Sequence, residues 1–137
     1  MSMSSPIRIA VDAMGGDFAP EEIVKGAISA AAQGGVQILL VGDTEPIQNE
    51  LARYQAGKLP IVPVPSQGVI EEGESPVQAL RQKPQASVVV ATGLVKAGKA
   101  DALVSMGSTG AAMAASAFAL GLLDGIERPA LGGPIIG

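Results

Sequence analysis

The sequence predicts an α/β fold built on a parallel sheet, and three observations carry that prediction. Apolar runs of strand length alternate with helix-length segments along the chain. Glycine or proline punctuates nearly every junction, with 18 Gly and 10 Pro among 137 residues. One strand candidate, 36–41, is apolar almost throughout, as strands buried on both faces of a parallel sheet are. Hydrophobic residues make up 47% of the chain, yet Phe18, Tyr54 and Phe118 are its only aromatics, so the core must be packed from small aliphatic side chains.

The elements follow in order. A brief strand over 7–11 precedes a Gly-rich turn, and a helix starts near Pro20 with Glu21 and Glu22 in its first turn, where carboxylates complement the helix dipole. Gly34 and Gly35 end it before the strand at 36–41. Gly42-Asp43-Thr44 opens a second helix with Pro46 near its start, running to about Ala56; Asp43 is a suitable cap. The segment 61–64 is a weaker strand, because Pro60, Pro63 and Pro65 cannot donate ladder hydrogen bonds, and an edge position suits it. Ser75-Pro76 caps and starts a short helix to about Gln82, Pro84 interrupts, and another helix covers 85–96. A final strand at 101–106 leads into a helix beginning near Thr109. Residues 1–5 read as a tail, and 6–137 as the N-terminal α/β part of a larger domain, because Pro134-Ile135-Ile136-Gly137 reads as a turn entering a further strand.

Composition excludes whole classes of chemistry. With no His and no Cys, there is no Ser-His-Asp triad, cysteine nucleophile, disulfide or His/Cys zinc site, and neither a metal nor a cofactor is expected. A net charge of −4 and so few aromatics argue against nucleic acid as a partner. A cytoplasmic location follows from the lack of a secretory pattern and of disulfides. Residues 102–123 carry no charge and resemble a membrane span at first sight. They divide at Gly107-Ser108-Thr109-Gly110, and the helix that follows, about 13 residues or roughly 20 Å, is shorter than a ~30 Å hydrocarbon core.

In open α/β sheets ligands sit beyond the carboxyl ends of the strands. Two loops fall there. Asp12-Ala13-Met14-Gly15-Gly16-Asp17 follows the first strand; its glycines allow close backbone approach to a ligand, and the alternative is a tight turn in which Asp12 caps neighbouring amides. Ser105-Met106-Gly107-Ser108-Thr109-Gly110-Ala111 joins the last strand to its helix and offers hydroxyls and uncovered amides, the alternative being a plain N-cap. Neither loop is a G-x-G-x-x-G fingerprint. The near-Walker string from Gly93 to Lys99 lacks a following Ser or Thr and falls at a helix end. Arg81, Lys83 and Arg128 are the candidate oxyanion-neutralising cations, each equally readable as a solvated charge.

Taken together, Asp12-Ala-Met-Gly-Gly-Asp17, Lys83 with Ser87 after a Ser-Pro-Val helix, the Gly-Lys-Ala-Asp-Ala run from Gly98, Ser105-Met-Gly-Ser-Thr-Gly-Ala111, and Gly125-Ile-Glu-Arg-Pro-Ala130 resemble the bacterial phosphate acyltransferase (PlsX) family of phospholipid synthesis. The resemblance runs in order over nearly the whole chain. It implies a three-layer α/β/α Rossmann-like fold of the phosphotransacetylase and isopropylmalate dehydrogenase kind. It also implies transfer of a fatty acyl group from acyl carrier protein to inorganic phosphate, a homodimer, and peripheral membrane contact. On that resemblance Lys83, Ser108, Thr109 and Arg128 are expected in catalysis, and Asp12, Gly15, Gly16, Asp17, Ser87, Ser105, Gly107 and Gly110 in binding phosphate or substrate. Asp12 and Asp17 would repel phosphate if ionised and close, so their expected task is to orient the loop or a basic partner. Ser108 stands where the family usually has Asn, Pro84-Gln85 replaces a more basic stretch, and Gly132-Gly133-Pro134 a more apolar one. Two other readings stay open at this point: a non-catalytic binding or dimerisation fragment, and a relative acting on small acyl-coenzyme A substrates.

Overall fold

The structure, a computed structural model, describes residues 4–133; the strand expected from Pro134 onward and most of the expected tail lie outside the described residues. Four strands and five helices alternate: β1 (Ile7–Asp12), α1 (Glu21–Gln33), β2 (Val36–Gly42), α2 (Thr44–Arg53), β3 (Ile61–Pro65), α3 (Pro76–Gln82), α4 (Ser87–Lys96), β4 (Ala102–Ser105) and α5 (Thr109–Leu120). The strands form one parallel sheet in the order β3-β2-β1-β4, a Rossmann-like layout. The proline-rich β3 takes an edge, where its missing donors cost least.

Helices cover both faces, and strand alternation assigns each residue to one of them. On one face Val11, Ile38 and Leu40 pack with Val24, Ala27 and Ala31 of α1 and with Ile47 of α2. On the other, Ala10 and Val41 pack with Ala91 of α4 and with Ala100. A third cluster joins Ala79 of α3, Val88 of α4, Ala111 of α5 and Ile70 of the β3–α3 connection. Leu40 and Ile47 are fully buried, each stabilising the fold by about 1.5–3 kcal/mol, and alanine fills much of the remaining contact, as the lack of aromatics requires.

Helix ends depart from the sequence expectation in instructive ways. Asp43 occupies the N-cap of α2, but its side chain makes no capping bond. Pro46 is the third residue of that helix and has no N–H, so one of the two usual donors to a cap is missing. Ser75 likewise holds the N-cap position of α3 without a side-chain bond; Pro76, with its φ pre-set for a helix, opens that segment. The helix expected from Gln85 begins at Ser87, because the Gln85 carbonyl is taken by Gln67 N at 2.8 Å. The near-Walker string closes the C-terminus of α4 through Gly98 N to Val95 O (3.0 Å) and Lys99 N to Leu94 O (2.9 Å), which leaves no phosphate loop there. Among the described residues no helix is long and apolar enough to cross a membrane.

Candidate functional site

The sheet order places β1 beside both β2 and β4, so successive crossovers leave β1 in opposite directions. Such a switch point opens a crevice above the carboxyl ends of the two strands that flank it. Here those strands are β1 and β4, and both glycine-bearing loops singled out in the sequence emerge at that crevice.

Asp12 ends β1, Ser105 ends β4, and the two are ladder partners. Asp12 is 2% exposed. Its Oδ1 accepts from Met14 N (3.2 Å) and Gly15 N (3.0 Å), and its Oδ2 accepts from Ser105 Oγ (2.7 Å). Ser105 Oγ accepts in turn from Gly107 N at 3.2 Å. A buried carboxylate is costly unless several donors meet it, and this one is met by two amides and a hydroxyl. The tight-turn alternative for Asp12 therefore holds, and the same side chain also ties the first loop to the second.

The glycines make that tie close. A Cβ on Gly15 would lie 2.5 Å from Asp12 Oδ2 and 2.9 Å from Gly107 N, and one on Gly107 would lie 3.0 Å from Gly15 Cα. The loops thus touch backbone to backbone. Gly16 adopts φ +113°, a conformation L side chains rarely take, with the Met106 carbonyl 3.1 Å from where a Cβ would stand. Ser108 Oγ accepts from Ala111 N (3.3 Å), so the N-cap reading of the second loop holds as well. No protein partner among the described residues engages the amides of Thr109 and Gly110, which lie within that capped turn.

A depression of about 570 Å³ opens over these loops, lined by residues 14–17, 69–72 and 106–108. Gly15, Gly16, Asp17, Gly107 and Ser108 therefore share one cavity, with Asp12 and Ser105 beneath it as its brace and exposed Thr109 and Gly110 continuing from its edge. Three other expected residues stand elsewhere. Ser87 is fully buried at the start of α4, and its Oγ has no partner among the described residues. Arg128 is exposed in the segment after α5, whose next residues line a separate groove against α5 and β4. Lys83 ends α3, and its Nζ donates to both carboxylate oxygens of Glu74 (2.7 and 2.8 Å) and to the Val69 carbonyl (3.0 Å).

The 69–72 wall and Glu74 are absent from the sequence reading. A carboxylate nine residues before its lysine, across a turn, has no periodic signature, and residues 66–74 lie between elements where pattern arguments are silent. Among the described residues no group of three or more carboxylates converges as a metal-ligand set.

A family model described as "Fatty acid synthesis protein" matches residues 7–135. The chain is 56% identical over 128 residues to a phosphate acyltransferase of Pelotomaculum thermopropionicum, covering 93% of this chain and 37% of that relative. It is 57% identical over 126 residues to one of Desulforamulus reducens (91% and 37%), and 51% identical over 126 residues to one of Acaryochloris marina (92% and 36%). The chain thus spans little more than a third of the length of these relatives, and the matched residues include both loops of the crevice.

Proposed function

Because the chain belongs to the fatty acid synthesis protein family, we propose that it is the N-terminal part of a larger acyltransferase domain that moves a fatty acyl group from acyl carrier protein to inorganic phosphate, releasing acyl phosphate. The single observation that carries this reading is the crevice at the β1/β4 switch point, where two glycine-bearing loops are locked together by Asp12 and Ser105.

The chemistry asks little of side chains as nucleophiles. A phosphate oxygen attacks the thioester carbonyl, a tetrahedral oxyanion forms, and its collapse expels the carrier thiolate. Phosphate is anionic at neutral pH, so no histidine or cysteine is required, in keeping with a chain that has neither. Catalysis then rests on holding phosphate in line with the carbonyl and on donors aimed at the developing charge. The amides of Thr109 and Gly110 at the α5 N-terminus, unpaired among the described residues, suit an anion there together with the Ser108 and Thr109 hydroxyls. Asp12 acts from below, its charge matched by loop donors, and Gly15 and Gly107 keep the two backbones close enough for one ligand to touch both. Arg128 would come into play only through parts of the protein beyond this segment. Homodimerisation and peripheral membrane contact belong to the same reading of the full-length enzyme.

The test is to supply a chain of the relatives' full length with acyl-acyl carrier protein and phosphate and to look for acyl phosphate. Stoichiometric release of carrier thiol with acyl phosphate supports the reading. Thiol release that is independent of phosphate, or none at all, defeats it.

A further inference from the structure

The third wall of the crevice is a short connection without regular structure, so something must hold residues 69–72 in place. Lys83 and Glu74 do so from behind. The Lys83 ammonium grips Glu74 through both oxygens and also takes the Val69 carbonyl, while Glu74 Oε2 accepts from Glu71 N at 2.7 Å. One ion pair therefore ties two points of the wall, positions 69 and 71, to the end of α3. Ile70, 3% exposed, anchors the same stretch in the small cluster with Ala79 and Val88. Lys83 and the Glu71 amide hold the Glu74 carboxyl below its ordinary pKa, so the clasp stays charged.

From this geometry we infer that Glu74 and Lys83 are positioning residues for the crevice: their clasp sets the 69–72 wall opposite Gly15 and Gly16, and the Lys83 charge is spent on Glu74 rather than on the substrate. The inference deepens the proposed acyl transfer and rests on it for the kinetic arm of its test. Both side chains are about one-third exposed, so the ion pair adds little to global stability. Loop opening is governed by much smaller free energies than global unfolding, and there a pair with two backbone attachments, at Val69 and Glu71, decides the outcome. It also accounts for a lysine that the sequence reading placed in catalysis yet that does not line the cavity.

The experiment compares wild type, Glu74→Ala, Lys83→Met and Lys83→Arg in a full-length chain, by amide hydrogen exchange and by steady-state kinetics with phosphate and acyl-acyl carrier protein. Glu74→Ala and Lys83→Met should each speed exchange at 69–73 by about tenfold or more. They should also raise the KM for phosphate or thioester by about threefold or more while kcat stays within about twofold, the pattern of lost binding geometry. Lys83→Arg, which keeps charge and donors, should restore both readouts. Unchanged exchange at 69–73 in Glu74→Ala overturns the inference, as does a tenfold fall in kcat for Lys83→Met with Glu74→Ala at wild-type rate. Should wild type make no acyl phosphate, the acyl-transfer reading fails, and the exchange arm still decides whether the clasp exists.

Discussion

Asp12 and Ser105 face each other at the carboxyl ends of β1 and β4, and the Ser105 hydroxyl donates to Asp12 Oδ2 at 2.7 Å while accepting from Gly107 N. That one contact joins two loops that are 93 residues apart in sequence. It makes the floor of the crevice a single hydrogen-bonded unit with consequences for stability as well as for binding.

Removing either side chain should therefore affect the other. Asp12→Ala leaves two loop amides and a hydroxyl short of an acceptor, and a cost of about 1–3 kcal/mol is expected, against less for Ser105→Ala. Urea unfolding of both single variants and the double variant should give a coupling of about 0.5–3 kcal/mol. Strict additivity would mean that the two loops are held together by something else.

Glycine substitutions should split by sign. Gly15→Ala puts a methyl 2.5 Å from Asp12 Oδ2, and a loss of about 1–3 kcal/mol is expected from the forced loop separation. Gly93 lies within α4 with nothing inside 4 Å of its added Cβ, so Gly93→Ala should raise stability by about 0.5–1 kcal/mol. Melting temperatures that move the same way in both variants would contradict the packing described for Gly15.

Acid should loosen the N-terminal ends of the same two strands. Arg8 binds Asp101 through its guanidinium and its backbone N–H, and both bonds hold the Asp101 carboxyl below its ordinary value. A carboxylate with a depressed folded pKa stabilises the fold above its unfolded pKa, and that contribution disappears as pH falls through the folded value. The loss is thus expected below pH 3.8, the ordinary Asp101 value, and Arg8→Met should flatten the acid limb of a stability-against-pH curve. Parallel curves for variant and wild type would show that the pair contributes nothing.

The capping bond of Ser108 can be tested apart from any role in binding. As N-cap of α5 its loss in Ser108→Ala should cost about 0.5–2 kcal/mol of stability, read by thermal unfolding. A change near zero would mean that the 3.3 Å contact to Ala111 N does no capping.

The sheet was legible in the sequence because its signals are local. Residues 36–41 are apolar apart from Gln37, the prolines at 60, 63 and 65 point to an edge, and Gly34-Gly35 stops a helix. Helix caps were less legible, since Asp43 and Ser75 carry capping chemistry but Pro46 removes one of the donors Asp43 would serve. For the candidate site, each loop could be read from its glycines and hydroxyls, but the bond between Asp12 and Ser105 depends on which strands are neighbours. Only the order β3-β2-β1-β4 supplies that. The Lys83–Glu74 clasp was hidden for a related reason: a lysine beside a broken helix looks the same whether its partner is a substrate or a carboxylate in a turn.

We propose that the crevice between the β1 and β4 loops holds the phosphate that accepts the acyl group. Its most direct test is a phosphate titration of acyl-phosphate formation by full-length wild type and a folded Ser108→Ala variant at saturating acyl-acyl carrier protein. Wild type should saturate, and the variant should show a fall of about tenfold or more in kcat/KM for phosphate, about 1.4 kcal/mol of lost transition-state stabilisation. Identical phosphate curves for the two proteins would place the anion somewhere other than this crevice.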